Sequence, residues 1–276
     1  MTGTRPFLKW AGGKQRALPS LARFFPQSFE HYYEPFLGGG AVFFFLRERR
    51  FPAFLSDTNA ELINTYQTVK SQVDELIEML KVHQQNYLPD PKAYYCRVVA
   101  ENPAGEVERA ARFIFLNKTC YNGLYRVNNA GQFTVPFGRH KNPRICDAER
   151  LVAASKALDG AELKVADYSE ALRNCAEGDL IYIDPPFVPE SRTAYFTKYT
   201  SKGFTSDDQK RLAGLFRQLD AKGCIVVLSN SDTPLARTLY AGFFIESIPT
   251  LRLISSVGAT RAGRSELVIH NKEGKP

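Results

Sequence analysis

The chain has 276 residues, 44% of them hydrophobic, which suits one large domain or one domain carrying a sizeable insertion. A formal charge of +7 and a pI near 9.1 favour a polyanionic partner, with a solvated basic surface as the plainer alternative. Cys96, Cys120, Cys146, Cys175 and Cys224 are scattered without metal-ligand spacing, and His31, His83, His140 and His270 form no cluster, so a reduced cytoplasmic protein without a metal is expected. The sequence opens without a signal peptide and holds no apolar run of membrane length, so no membrane partner is expected.

Pro6–Lys14 contains Gly12-Gly13, which lets the backbone turn tightly, and then Lys14, a point charge beside the turn. Tyr32–Phe36, Leu37–Gly40 and Ala41–Arg50 read as strand, glycine loop and helix, with the helix's basic end matched to its dipole. Such a loop brings backbone N–H groups to a ligand, although the spacing is not that of the dinucleotide fingerprint, since position 43 is Phe. Ala53–Asp57 reads as a strand ending in an acid about 20 residues past the loop, placed for ribose hydroxyls or for a helix cap. A capping box over Thr58–Glu61 opens a helix that buries Leu62, Tyr66, Val69, Val73, Leu76 and Leu80.

The α/β alternation then stops. Helices are expected over Pro91–Glu101 and Glu106–Lys118, followed by a β-hairpin of Tyr121–Val127 and Gln132–Pro136 turning at Asn128–Gly131. With Arg139, His140, Lys141 and Arg144 close behind, this stretch mixes rings, amides and cations suited to base edges and phosphates.

Strand character resumes at Glu162–Tyr168, carrying Asp167. Leu180–Ile183 is a short uncharged run that reads as a buried parallel strand. It stops at Asp184-Pro185-Pro186-Phe187, because a strand cannot continue through two prolines. The Asp184 carboxylate and the Pro185 carbonyl can accept both hydrogens of one exocyclic amine while Phe187 stacks on the base that carries it. A strand-ending turn with a core Phe remains the alternative. Val188–Phe204 is long enough to be a functional loop. A helix over Asp207–Ala221 capped by Ser206 with Gln209, a strand at Cys224–Asn230, a helix from Thr233-Pro234 to Gly242, and strands at Phe243–Leu253 and Glu266–His270 complete the reading. A basic connection, Ser255–Arg264, joins the last two strands.

The fold class is therefore α/β: a doubly wound, mostly parallel seven-stranded Rossmann-like sheet, with the last strand expected antiparallel. Residues 1–58 and 145–276 would form this sheet domain, interrupted by 59–144 as an inserted helical and β-hairpin domain.

Four stretches, in order and spanning nearly the whole chain, resemble the DNA adenine methylase family: Phe7–Lys14, Glu34–Gly40, Tyr121–Arg126 with Val135–Arg139, and Asp184–Phe187. The resemblance implies transfer of a methyl group from S-adenosylmethionine to N6 of a flipped adenine in duplex DNA, with GATC as the expected site and a monomeric enzyme. It implies that Trp10, Ala11, Gly12, Lys14, Phe36 and Gly38, Gly39 and Gly40 hold the methionine part of the cofactor. Asp57 would take the ribose, Asp167 with Tyr168 the adenine, and Asp184 would border both cofactor and target. On DNA it implies Lys9 and Asn122 near bases and Tyr121 wedged into the stack. Leu124 and Pro136 would meet a thymine methyl and Arg126 a guanine edge, with Asn128, Arg139 and His140 also at the duplex. Two departures are Phe187, where the family motif usually ends in Tyr, and His140, where Tyr is common. Stacking needs only the ring face. Rival readings are a different target (GATATC or cytosine N4), a catalytically silent DNA-binding homologue, and a nicotinamide enzyme. Asp184 disfavours cytosine N4, and the glycine spacing disfavours nicotinamide.

Overall fold

The computed structural model describes residues 4–186, 204–249 and 265–272. Phe187, the loop of 188–203, the strand end at 250–253 and the connection of 255–264 lie outside these described residues. In chain order the helices are α1 Leu18–Leu21, α2 Ala41–Leu46, α3 Ala60–Ser71, α4 Val73–Tyr87, α5 Pro91–Ala100, α6 Glu106–Thr119, α7 Ala148–Leu158, α8 Tyr168–Ala171, α9 Ser206–Ala221 and α10 Pro234–Leu239. The strands are β1 Tyr32–Glu34, β2 Ala53–Asp57, β3 Ala161–Val165, β4 Leu180–Ile183, β5 Ile225–Ser231, β6 Phe244–Pro249 and β7 Ser265–His270.

All seven strands form one sheet in the order β3-β2-β1-β4-β5-β7-β6. The first five are parallel, with Tyr32 paired to both Ala53 and Leu180. Antiparallel β7 lies between β5 and β6, as expected for the chain end. Alternation along the central strands gives two apolar faces. Tyr32, Leu55, Leu180, Tyr182 and Val227 join the core on the side of α2–α7, whereas Tyr33, Ile181, Ile183, Val226 and Leu228 join the core under α8–α10. Because β1 has β2 on one side and β4 on the other, the chain reverses winding direction beside β1. Ligands bind at such a switch point, outside the carboxyl ends of the strands. Among the described residues, no helix is long and apolar enough to cross a membrane.

Several local expectations need correction. Asn59, not Thr58, caps α3, accepting from the N–H groups of Glu61 and Leu62. The helix expected to run through Val73 breaks at Gln72 (φ −136°, ψ 40°) into α3 and α4. Helix α9 is capped by a Thr205–Asp208 box, each side chain bonding the other's backbone N–H, in place of Ser206 with Gln209. The β3 strand ends at Val165, so Asp167 lies two residues beyond it and caps α8. The hairpin is far looser than two strands: a single helical turn at Tyr121–Gly123 and isolated bridges Cys120–Phe137 and Val127–Phe133 replace a ladder. Asn122 at φ 55° and Pro136 explain this, since one leaves the extended region and the other lacks an N–H. The first helix of the 59–144 stretch is tied to the sheet, with Gln67 and Lys70 donating to carbonyls of β3 at 3.2 and 2.8 Å.

Candidate active site

The row of strand ends sets the site. In spatial order, β3, β2, β1 and β4 deliver Asp167, Asp57, Glu34 and Asp184 to one edge of the sheet. Three of these acids stand out in the sequence. Glu34 does not, although it also ends a strand, because it reads there as the first letter of the glycine motif.

The glycine loop is shaped by Trp10. A Cβ on Gly38 would lie 2.7 Å from the indole Cδ1 and Nε1, and one on Gly39 would lie 3.0 Å from the Trp10 Cβ. Gly38 and Gly40 have φ of 48° and 63°, where side chains are disfavoured. On its other side Trp10 stacks with Phe113 and Tyr125, each 6.4 Å between centroids. The Tyr66 hydroxyl donates to the Gly38 carbonyl at 3.1 Å. Asp57 closes the loop: Oδ2 accepts from Gly38 N–H at 3.1 Å and Oδ1 from Asn59 N–H at 2.9 Å. Burial raises the Asp57 carboxyl above its ordinary value, opposed by these N–H groups. Asp57 is thus a loop anchor in addition to any ribose role.

Glu34 is buried. Its Oε2 accepts from the Tyr32 hydroxyl at 2.8 Å and from the Phe43 N–H, in the first turn of α2, at 3.1 Å. Loss of hydration, with Asp184 adding to it, pushes Glu34 up to about 8 against the lowering of its two donors. It braces the loop from below, and burial favours its protonated form.

At the other end of the loop, half-buried Phe36 stacks on Tyr168 at 5.3 Å and 28°. The Arg211 guanidinium lies 4.6 Å over the Tyr168 ring and 3.2 Å from Asp167 Oδ2. Asp167, Tyr168, Phe36 and Arg211 therefore lie together, so Phe36, expected at the methionine part of the cofactor, packs instead against Tyr168, expected at its adenine. The turn of half-buried Ala11 and exposed Gly12 is joined to Lys14, whose ammonium donates to the Gly12 carbonyl at 3.1 Å.

Lys14 differs from a surface point charge. Its side chain is 5% exposed, and Nζ lies 2.7 Å from Asp184 Oδ1 and 2.9 Å from Glu266 Oε1. Burial disfavours the charged form, but the two carboxylates outweigh it and hold the Lys14 pKa above its ordinary value. Pro185 is buried and Pro186 half-buried, so the turn after β4 is fixed by packing as well as by its rings.

The recognition turn is fastened to the N-terminal segment by Asn117, which sequence reasoning missed. Its side chain accepts from Lys9 N–H at 2.9 Å and donates to the carbonyls of Lys9 and Gly123 at 2.7 and 3.1 Å. An amide directly after the apolar run Phe113–Leu116 was the available signal. Lys9, Tyr121, Asn122, Pro136 and Arg139 are exposed on this side, and Leu124 is half-buried. Arg126 folds across to Thr134 Oγ1 at 3.1 Å. Two residues expected at the duplex are engaged elsewhere. Asn128 Oδ1 accepts from the N–H groups of Ala130 and Gln132, both at 3.0 Å, so it builds the turn. The His140 ring turns inward, with Nε2 3.2 Å from the Cys120 carbonyl.

Comparison with known proteins identifies the family. Residues 10–254 match the family D12 class N6 adenine-specific DNA methyltransferase. The chain is 42% identical to type II methyltransferase M1.LlaDCHI of Lactococcus lactis subsp. cremoris, covering 97% of this chain and 95% of that protein. It is 41% identical to type II methyltransferase M.MjaIII of Methanocaldococcus jannaschii (97% and 99% covered) and 35% identical to the DNA adenine methylase of Escherichia coli K12 (99% and 98%). The chain belongs to the D12 class of N6 adenine-specific DNA methyltransferases.

Proposed function

We propose that the protein methylates adenine N6 within GATC in duplex DNA, using S-adenosylmethionine as donor. The observation that carries this reading is the position of Asp184, at the end of β4 beside the switch point, with Lys14 holding one of its oxygens.

The donor is an adenine, a ribose diol, an amino-acid end and a sulfonium, with one net positive charge. The strand-end row suits it chemically. Asp167 and the Phe36–Tyr168 stack would take the adenine and Asp57 the ribose. Trp10, Ala11, Gly12 and the backbone of Gly38–Gly40 would take the amino-acid end, with Lys14 behind them, its ammonium committed to Asp184, Glu266 and the Gly12 carbonyl. An edge rich in carboxylates complements a cation. When bound, S-adenosylmethionine supplies the methyl group as an electrophile on sulfur.

The residues of the chain do the rest. An adenine amine is unreachable inside the stack, so the base is extruded. Exposed Tyr121 fits the role of filling the gap. Asp184 and the Pro185 carbonyl each accept one N6 hydrogen, which draws the nitrogen toward tetrahedral geometry and frees its lone pair. Phe187 stacks on the extruded base. Catalysis then rests on positioning and electrostatics. Residues 59–144 supply recognition, apart from α3, which serves the catalytic sheet. Arg126 reads guanine, and Leu124 and Pro136 the thymine methyl. Lys9, Arg139, Lys141 and Arg144 supply affinity that weakens with salt.

The test is to methylate genomic DNA from a host lacking adenine methylation and map the product at base resolution. Modified adenines confined to GATC support the reading. Modification at another sequence would overturn the site, and none with S-adenosylmethionine would overturn the donor.

A further inference from the structure

Glu266 stands on β7, far in sequence from every motif considered above, and its side chain is only 7% exposed. A carboxylate buried without a partner is unfavourable by several kcal/mol in real proteins, on the order of magnitude of a whole domain's stability. Its partner here is Lys14, and through Lys14 it reaches Asp184. One ammonium thus lies between two carboxylates from β4 and β7, the strands that flank β5. Asp184, at 21%, is the most exposed of the three.

We propose that Glu266 is a positioning residue for methyl transfer: it anchors the Lys14 ammonium against Asp184 and so fixes the carboxylate that grips the adenine amine. This rests on the donor and target of the preceding section. Lysine has a flexible stem and three rotatable donors, so one carboxylate leaves it several placements, whereas two about 3 Å away leave it one. Glu266 also shares the lysine's charge. The three groups sum to one net negative charge, and the excess faces the site through Asp184. Without Glu266, Asp184 would carry more of the ammonium's charge and become a poorer acceptor. The other titratable groups around the cluster, among the described residues, are Tyr182 and Glu34. The Tyr182 hydroxyl is held neutral by burial and by Asp184 and Glu266, and Glu34 is the brace described above.

The experiment uses the full chain with Glu266→Gln and Glu266→Asp. Two measurements are made: single-turnover methylation across pH, and 15N NMR titration of the Lys14 ammonium without donor, its signal assigned by loss in Lys14→Arg. For Glu266→Gln the expected result is a rate lowered about 10- to 100-fold, as for a small misplacement of a reacting group, with donor and duplex Kd within about threefold. Removing a carboxylate makes the ammonium easier to deprotonate, so both the Lys14 titration and the alkaline fall in rate move to lower pH. Glu266→Asp recovers part of the rate. A Glu266→Gln protein with the wild-type rate overturns the proposal, and so does a slower one whose Lys14 titration is unmoved. Should Glu266→Gln not fold, Glu266→Asp decides: a smaller shift in the same direction supports the proposal, and an unshifted titration overturns it. A wild-type protein that methylates nothing sinks the donor and target reading itself, whereas an active wild type with indifferent Glu266 variants sinks only this inference.

Discussion

The Trp10 indole occupies the space that a side chain on Gly38 would need, 2.7 Å from where a Cβ would stand. The two residues come from separate sequence motifs, and their contact sets the shape of the loop after β1. Gly38→Ala should therefore destabilise the protein by about 2–4 kcal/mol in urea unfolding, combining overpacking with an unfavourable φ. Adding Trp10→Ala should recover part of that loss, as a shared contact requires. Strict additivity of the two changes would show that the indole is not what the glycine accommodates.

Asp184→Ala should lower kcat by at least about 100- to 1000-fold while duplex affinity in a gel-shift assay changes little, because it removes an acceptor acting on the reacting amine. Retained turnover would refute the role given to this carboxylate.

Arg126→Ala should relax discrimination at one base pair by about 1–3 kcal/mol, read from methylation of duplexes substituted at each position of the site. The present contact with Thr134 lies within the hairpin, so the change should leave unfolding almost unaltered. Equal selectivity in variant and wild type would count against this assignment.

Asn117→Ala leaves the Lys9 N–H and the carbonyls of Lys9 and Gly123 without their partner in a buried place. It should cost about 1–3 kcal/mol of stability. DNA binding should weaken with it, since Lys9 and the Tyr121–Gly123 turn would lose their common tether. Undiminished affinity in a folded variant would separate the tether from recognition.

Glu34 gives a pH dependence. The folded protein holds its proton up to about 8, whereas the unfolded chain releases it near the ordinary value of 4.5. Between these values the native state binds more protons, so this stabilisation is complete below about pH 4.5 and is lost as pH rises through 8. The slope from this group is at most about 1.4 kcal/mol per pH unit. Glu34→Gln should thus gain on the wild type in unfolding free energy from pH 5 to pH 8. A difference that stays constant over that range would show that Glu34 does not titrate there.

Much of the site was legible because its chemistry is local. Two prolines stop a strand wherever they occur, so Asp184 had to stand at the end of β4. The three glycines likewise announced a turn whose backbone must pass close to something. Legibility is poorer where one polar side chain has several possible partners. The basic and amide-rich hairpin suggested base contacts throughout, yet Asn128 is used in building its own turn and His140 faces the Cys120 carbonyl. Composition could not separate these uses, because a side-chain amide or imidazole bonds backbone as readily as bases.

The sequence by itself determined the order of the seven strands, the glycine and proline turns, and the acids at or just past three strand ends, since each follows from neighbours a few residues away. Only the tertiary structure decided that Lys14 is buried between Asp184 and Glu266, that Glu34 is a buried brace between Tyr32 and α2, and that Asn117 binds the N-terminal segment to the recognition turn. Burial and charge pairing arise where the sheet's strands meet at one edge, and no periodicity along the chain encodes which distant side chains will share that space.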